Sequence, residues 1–369
     1  MDCTRSAATH KRFVAIFPMH SSDNAPYISF VVTSRNDNHG GDMTKRMRIF
    51  TKGLIHQCNA HKLRSELVFV EWNPIPGKPY LSEVLPEPKD GDYLTIRYIR
   101  VPNAIHSTLN FHERLPIFQM IAKNVGIRRS EAPFVICTNV DLLFSDVLFA
   151  FLAEKTLQKG YFYRANRCDI PNTITEDMTV SEQLDFAQNK LTKRLGKNGH
   201  DSIFRDSQGV FFKYWILRLF LPFIRVIKKL LFSKERILLD QLDMDACGDF
   251  TLMSKEDWVD IDGYVELEMY SLHIDSMGLM AAFAKAKTQI VLPPDACTYH
   301  IAHTGGWEIN DPIEKLIFFS KFPTLEWWTV WQSGIKIIEE KRNFDINTED
   351  WGLNNSQLEE ITLNTWKKQ

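Results

Sequence analysis

The six cysteines of this 369-residue chain (Cys3, Cys58, Cys137, Cys168, Cys247 and Cys297) stand far apart, with no C-x-x-C pair among them. That spacing argues against a zinc ribbon, a redox dithiol or a stapled secreted fold, and suits a reducing, cytoplasmic compartment. An excess of one charge is also lacking. Lys and Arg number 44 against 46 Asp and Glu, a formal net charge of −2, so no overall field draws in nucleic acid. No run reaches the roughly 18 apolar residues needed to span a bilayer. Residues 1–26 carry only the short apolar stretch Phe13–Phe17, without the layout of a signal peptide, and read as a loose lead-in. The patterns G-x-x-x-x-G-K-[ST], G-x-G-x-x-G and G-x-S-x-G are absent, which disfavours a P-loop kinase, a dehydrogenase and a serine hydrolase. His112-Glu113 opens like a zinc-protease motif, but Pro116 takes the place of the second His and would also disrupt the helix.

What is present is the make-up of a globular protein: 44% hydrophobic, 12% aromatic and 24% charged. From Tyr27 onward, short β-branched or aromatic runs alternate with longer helix-like stretches. This is the signature of an α/β domain with a mostly parallel sheet flanked by helices. Strands are expected at 27–33, 66–72, 94–101, 133–138 and 161–165, and helices at 43–61, 115–128 and 145–157. Such sheets bind ligands beyond the carboxyl ends of their strands. Those ends are polar here. The first runs into Thr33-Ser34-Arg35-Asn36-Asp37-Asn38-His39-Gly40-Gly41-Asp42, which is either a ligand loop or a solvated turn with Asp42 capping the next helix. The second ends at Glu71-Trp72-Asn73, the third at Val101-Pro102-Asn103, and the apolar fourth at Thr138-Asn139-Val140-Asp141. An acid just after a buried strand can hold a hard cation against phosphates. It can equally be an inert cap, a role open to Ser145 or Asp146 as well.

The balanced charge hides two blocks. Residues 190–236 hold 12 Lys and Arg against 3 Asp and Glu, whereas 240–275 hold 11 Asp and Glu against Lys255 alone. Within the basic block, 210–232 reads as an amphipathic helix kinked at Pro222. Trp215, Leu219, Phe223 and Val226 fall on one face, with Arg218, Arg225, Lys228 and Lys229 opposite. This is either a core helix with a solvated face or a peripheral contact with the cytoplasmic face of a membrane.

Three stretches together carry a family resemblance. Ala122-Lys123-Asn124-Val125-Gly126, the strand 133–138 and Asn139-Val140-Asp141 resemble the A-R-N-x-G, strand and D-x-D core of GT-A nucleotide-sugar glycosyltransferases, most like family two. The strand Ile28–Thr33 with Ser34-Arg35-Asn36-Asp37 is similar to that family's donor loop, and Trp258–Glu266 to its W-x-x-x-x-G-(F/Y)-x-E segment. The resemblance spans about 27–305. It implies a donor-binding half at 27–165, an amphipathic insertion at 190–236, an acceptor and catalytic half at 240–305, and a C-terminal extension at 306–369.

By this resemblance Thr33, Ser34, Arg35, Glu71, Asn103, Lys123 and Asn139 would contact the nucleotide sugar. Asp141 and, from a later segment, His300 ahead of His303 would hold a divalent cation, Mn²⁺ or Mg²⁺. Asn139 stands where the family has its first Asp. The base that takes the acceptor's proton is expected in Asp275, with Asp249 and Glu266 in reserve, since the usual Glu-Asp pair is absent. The implied activity is sugar transfer from a nucleotide-sugar donor to a carbohydrate or lipid-linked acceptor, by inversion, in surface-polysaccharide or glycolipid assembly. An inactive nucleotide-sugar-binding scaffold and a sugar nucleotidyltransferase are the alternatives. In the last stretch, Trp327-Trp328-Thr329-Val330-Trp331 would stack on sugars or pack in a core. The polar tail after Asn343 is expected as a peripheral helix or a partly disordered end.

Overall fold

The computed structural model describes residues 25–196, 201–202, 239, 242–305, 309 and 311–363. The lead-in before residue 25 and the amphipathic segment 210–232 lie outside the described residues. Among the described residues, no helix is long and apolar enough to cross a membrane.

Strand β1 (Ile28–Ser34) is followed by α1 (Met43–Ala60), β2 (Ser65–Trp72), α2 (Leu81–Val84), β3 (Leu94–Val101), α3 (Asn103–His106), α4 (Gln119–Arg129), β4 (Phe134–Thr138), β5 (Leu142–Phe144) and α5 (Asp146–Ala153). Next come β6 (Tyr161–Arg164), β7 (Asn166–Ile170), α6 (Val180–Asn189), β8 (Lys193–Leu195), β9 (Asp201–Ser202) and β10 (Phe250–Ser254). The chain continues through α7 (Lys255–Asp260), α8 (Ile274–Ala284), β11 (Thr288–Val291), β12 (Cys297–Ile301), α9 (Pro312–Ser320), α10 (Trp327–Glu340) and β13 (Glu359–Leu363).

Eight strands form the main sheet, in the order β11-β6-β10-β4-β1-β2-β3-β13. β4, β1, β2 and β3 run parallel, while β10 runs against β4 and β6, and β13 against β3. Both faces of the parallel strands are covered, so their centres at 30–32, 67–70 and 135–137 are apolar throughout, while β3 is broken by Arg97 and Arg100. Val31, Val70 and Val125 of α4 belong to one core, which also takes in α8 and α10. Phe30, Val32 and Phe69 belong to the other, with Met43, Met47, Phe50 and Leu54 of α1. Gly126 allows the close approach on the first face, since a Cβ there would overlap Val31. The fold is thus the expected α/β architecture, Rossmann-like in its parallel centre.

A second sheet, β5-β12-β7-β8-β9, packs beside the first. The C-terminal tail differs from expectation. It is no peripheral helix: β13 extends the main sheet, and Trp351 is buried in the first core. Arg97 Nε donates to Glu360 at 2.7 Å and Arg100 Nη1 to Glu359 at 2.7 Å, which fixes the strand in register. Within the tryptophan patch, Trp331 packs in the core as expected, while Trp327 and Trp328 are 38% and 55% exposed.

Candidate active site

Because β1 to β4 are parallel, their carboxyl ends share one edge. Thr33 Oγ1 donates to Val70 O at 3.0 Å and so braces the end of β1 against β2. Arg35 Nε donates to Asn73 O at 2.7 Å, and Asn103 Nδ2 to Asn73 Oδ1 at 3.0 Å. Ser34 is buried beside them. The ends of β1, β2 and β3 therefore meet at Asn73. Glu71 behaves differently, since its Oε1 accepts from Leu81 N at 2.9 Å and its Oε2 lies 3.5 Å from Arg100 Nε. Burial pushes its carboxyl above the ordinary range despite these partners.

Past β4, Asn139 is saturated with protein contacts. Its Oδ1 accepts from Gln119 Nε2 at 3.0 Å and from Lys123 Nζ at 2.9 Å, and its Nδ2 donates to Asp249 Oδ1 at 2.7 Å. Lys123 is fully buried, also donates to Gly248 O at 2.8 Å, and has its pKa lowered by burial. Lys123 and Asn139 thus join α4 and the end of β4 to the segment before β10.

Asp141 opens β5, and strand pairing decides its neighbours. His300 pairs with Leu142 across β12 and β5, and Ile301 N donates to Asp141 O at 2.9 Å. His300 Nε2 lies 3.8 Å and His303 Nε2 3.1 Å from Asp141 Oδ2, with Arg46 Nη1 at 3.5 Å. One ligand atom from each of Asp141, His300 and His303 falls within 4.8 Å of the others. Burial alone would raise the Asp141 carboxyl, but His300, then His303 and Arg46, hold it well below the ordinary range. Its Oδ1 is buried without a hydrogen-bond partner.

Strict alternation would send His300 and His303 to opposite faces. Instead β12 ends at Ile301, the chain turns, and the two rings come to 5.2 Å between centroids. His303 is the nearer of the two to Asp141. The segment after β12 is latched to the loop between β1 and α1: Thr304 N and Oγ1 both bond Gly40 O, at 3.2 and 2.9 Å. Gly40 sits at φ +68, and a Cβ there would come within 2.8 Å of His303 Nδ1. Asp42 does not cap α1 with its side chain. The loop is gathered instead by Arg46, whose Nη2 donates to His39 O at 2.5 Å and Gly41 O at 3.0 Å. Ser145 does cap α5, accepting from Leu148 N at 3.2 Å.

Arg167 and Asp169, on β7, escaped sequence reasoning. Register places Asp169 opposite His300, whose Nδ1 is 3.3 Å from Asp169 Oδ1. Arg167 contacts Asp169 at 2.6 Å and Asp249 at 3.3 Å, bridging the histidine cluster to Asn139. Burial works against both charges, yet Asp249 and Asp169 keep the Arg167 proton bound, and Asp169, held chiefly by His300 and Arg167, falls to about 2.

Of the three acids proposed as base, Asp249 is spent on Asn139 and Arg167. Asp275, half-buried in the first turn of α8, accepts from Ser276 N at 2.9 Å and turns Oδ2 toward Gly248, 2.9 Å from where a Cβ would stand. Glu266 lies with other partners: it accepts from Asn124 Nδ2 at 2.9 Å and Gly352 N at 2.7 Å, and burial raises its pKa. It braces the C-terminal return and makes no contact with the cluster.

No protein-family model matches the chain, and no curated protein matches it. Among solved structures it is similar to S. aureus TarS 1-349, with a TM-score of 0.38 and 13% identity over 74% of this chain. The match covers 60% of that structure. A likeness of that size fixes neither fold nor chemistry, which rest on the strand topology and side chains described above.

Proposed function

We propose that this protein is a glycosyltransferase that moves a sugar from a nucleotide-sugar donor to an acceptor hydroxyl with inversion. The observation that carries this reading is Asp141. It is a carboxylate just past a buried parallel strand, one of whose oxygens has no partner, where two imidazoles and a guanidinium from distant elements converge. The polar rim at Thr33, Ser34, Arg35, Asn73 and Asn103 suits the nucleoside, at the edge where such sheets bind nucleotides. Arg46 faces the diphosphate with a permanent charge.

Asp141, His300 and His303 are the residues that would hold a divalent cation. Two nitrogen donors beside one carboxylate suit Mn²⁺ better than Mg²⁺. When bound, the cation would offset charge on the departing diphosphate. Asp275 takes the proton of the acceptor hydroxyl as its oxygen attacks the anomeric carbon. The bond from that carbon to the diphosphate oxygen breaks, and the nucleoside diphosphate leaves with the electron pair. Asp249 and Arg167 act as positioning residues between the two halves. An acceptor in surface-polysaccharide or glycolipid assembly at the cytoplasmic membrane face fits the basic segment 210–232.

Calorimetric titration with UDP-, GDP-, CMP- and dTDP-sugars, with and without Mn²⁺, tests this reading. One donor should bind in a Mn²⁺-dependent way that Asp141→Ala abolishes. A folded protein that binds none of them would overturn the proposal.

A further inference from the structure

Resting on that reading, the geometry points to a carbohydrate acceptor: a pyranoside whose apolar face stacks on Trp327, in a subsite walled by Trp327 and His273 beside Asp275. Three observations converge. His273 immediately precedes α8 at φ +67, a left-handed conformation unfavourable for a residue with a side chain. Residues held in such conformations cluster at ligand sites. Its ring lies 4.9 Å from that of Trp327, tilted by 55°.

Trp327 has a fixed back and an open front. Trp331, one turn on and 8% exposed, lies 5.7 Å behind it, while Trp327 itself is 38% exposed. Finally, this wall is tied to the catalytic cluster. Ser271 Oγ donates to Gln119 Oε1 at 2.7 Å, and Gln119 in turn donates to Asn139. Tyr270 stacks on Phe322 at 4.9 Å and donates its N–H to Pro323 O at 2.9 Å, which sets the approach of α10. The stretch 270–275 therefore carries both Asp275 and His273, and His273 touches Trp327.

A flat indole next to a base matches a sugar ring, whose C–H bonds on one face are apolar and whose hydroxyls point outward. Burial lowers the His273 pKa, so a neutral imidazole can both donate to and accept from those hydroxyls. Lipid is the weaker match. Glu326 directly precedes Trp327, a charge that repels an anionic bilayer, and along α9 the acids Asp311 and Glu314 offset Lys315 and Lys321, which leaves no basic surplus to hold one.

The test is saturation-transfer NMR on the full chain with methyl glycosides of glucose, galactose and N-acetylglucosamine. Sedimentation with phosphatidylglycerol vesicles and donor calorimetry run alongside. At least one glycoside should receive saturation, strongest at the C–H protons of one ring face. Trp327→Ala should cut the signal at least fivefold and Trp327→Phe should largely keep it, with donor affinity unchanged in both. Absence of transfer to every glycoside while donor binding persists, or transfer indifferent to Trp327→Ala, would overturn the subsite. Vesicle binding lost in Trp327→Ala, without glycoside contact, would assign the ring to lipid and overturn it as well. Loss of donor binding in the unmodified protein would instead overturn the glycosyltransferase reading.

Discussion

Glu71 and Asp141 are both buried carboxylates at the carboxyl ends of strands that flank β1, Glu71 in the last pleat of β2 and Asp141 just past β4, yet their environments drive them in opposite directions. Glu71 is pushed up by burial. Its oxygens serve the start of α2 and Arg100, whose guanidinium also lies 3.5 Å over the Tyr80 ring. Asp141 is held down by His300, His303 and Arg46; each carboxylate keeps one buried oxygen without a hydrogen-bond partner, Oε2 of Glu71 and Oδ1 of Asp141. An acid at a strand end is therefore not yet a site. The difference lies in what converges on it, and for Asp141 that means β12, the turn after it, and α1.

Four experiments would break or sharpen this contrast. The largest effect is expected from Asp141→Ala, which should lower sugar transfer by roughly 10²- to 10³-fold with circular dichroism unchanged, whereas Glu71→Gln should leave transfer nearly intact. Next, Arg167→Ala leaves the buried Asp249 carboxylate without its cation and Asp169 with His300 alone, which should cost about 3 kcal/mol of stability by urea denaturation. A loss below about 1 kcal/mol would mean the bridge contributes little. Third comes acid sensitivity. The carboxyl of Asp169 falls from 3.8 unfolded to about 2 folded. Its contribution of about 2 kcal/mol is present above the unfolded value and lost as pH falls through the folded one. Urea midpoints followed from pH 5 to pH 2 should show that loss, and Asp169→Asn should abolish it. The smallest effect is the stability of Glu71→Gln at pH 7. Folding gains from a protonated Glu71 and loses that gain as pH rises, so a neutral Gln should change stability by no more than about 1 kcal/mol.

The parallel strands were legible through their β-branched and aromatic residues, and Leu94–Val101 matches its expected bounds despite Arg97 and Arg100. The second sheet was not. Its strands are two to five residues long, and Asn166–Ile170 and Lys193–Leu195 are polar enough to read as loop. Asp141 and His300 stood out by position. Arg46 had no distinguishing signal within the expected helix 43–61, yet it is only 2% exposed. The one available signal for β7 was alternation, with Arg167 and Asp169 facing the site and Cys168 and Ile170 facing a small apolar cluster with Leu143, Leu184 and Tyr299. Its partner strand enters about 130 residues later, a separation that no local pattern spans.

Strand β13 has a consequence in time. Arg97 and Glu360 are 263 residues apart in the chain, so on a ribosome adding about 5–20 residues per second the outer edge of β3 waits on the order of 10–50 s for its partner. Throughout synthesis the nascent main sheet carries an unpaired edge, which invites pairing with other chains. The guanidinium groups of Arg97 and Arg100, which later bind Glu360 and Glu359, are the charges that guard that edge until β13 arrives.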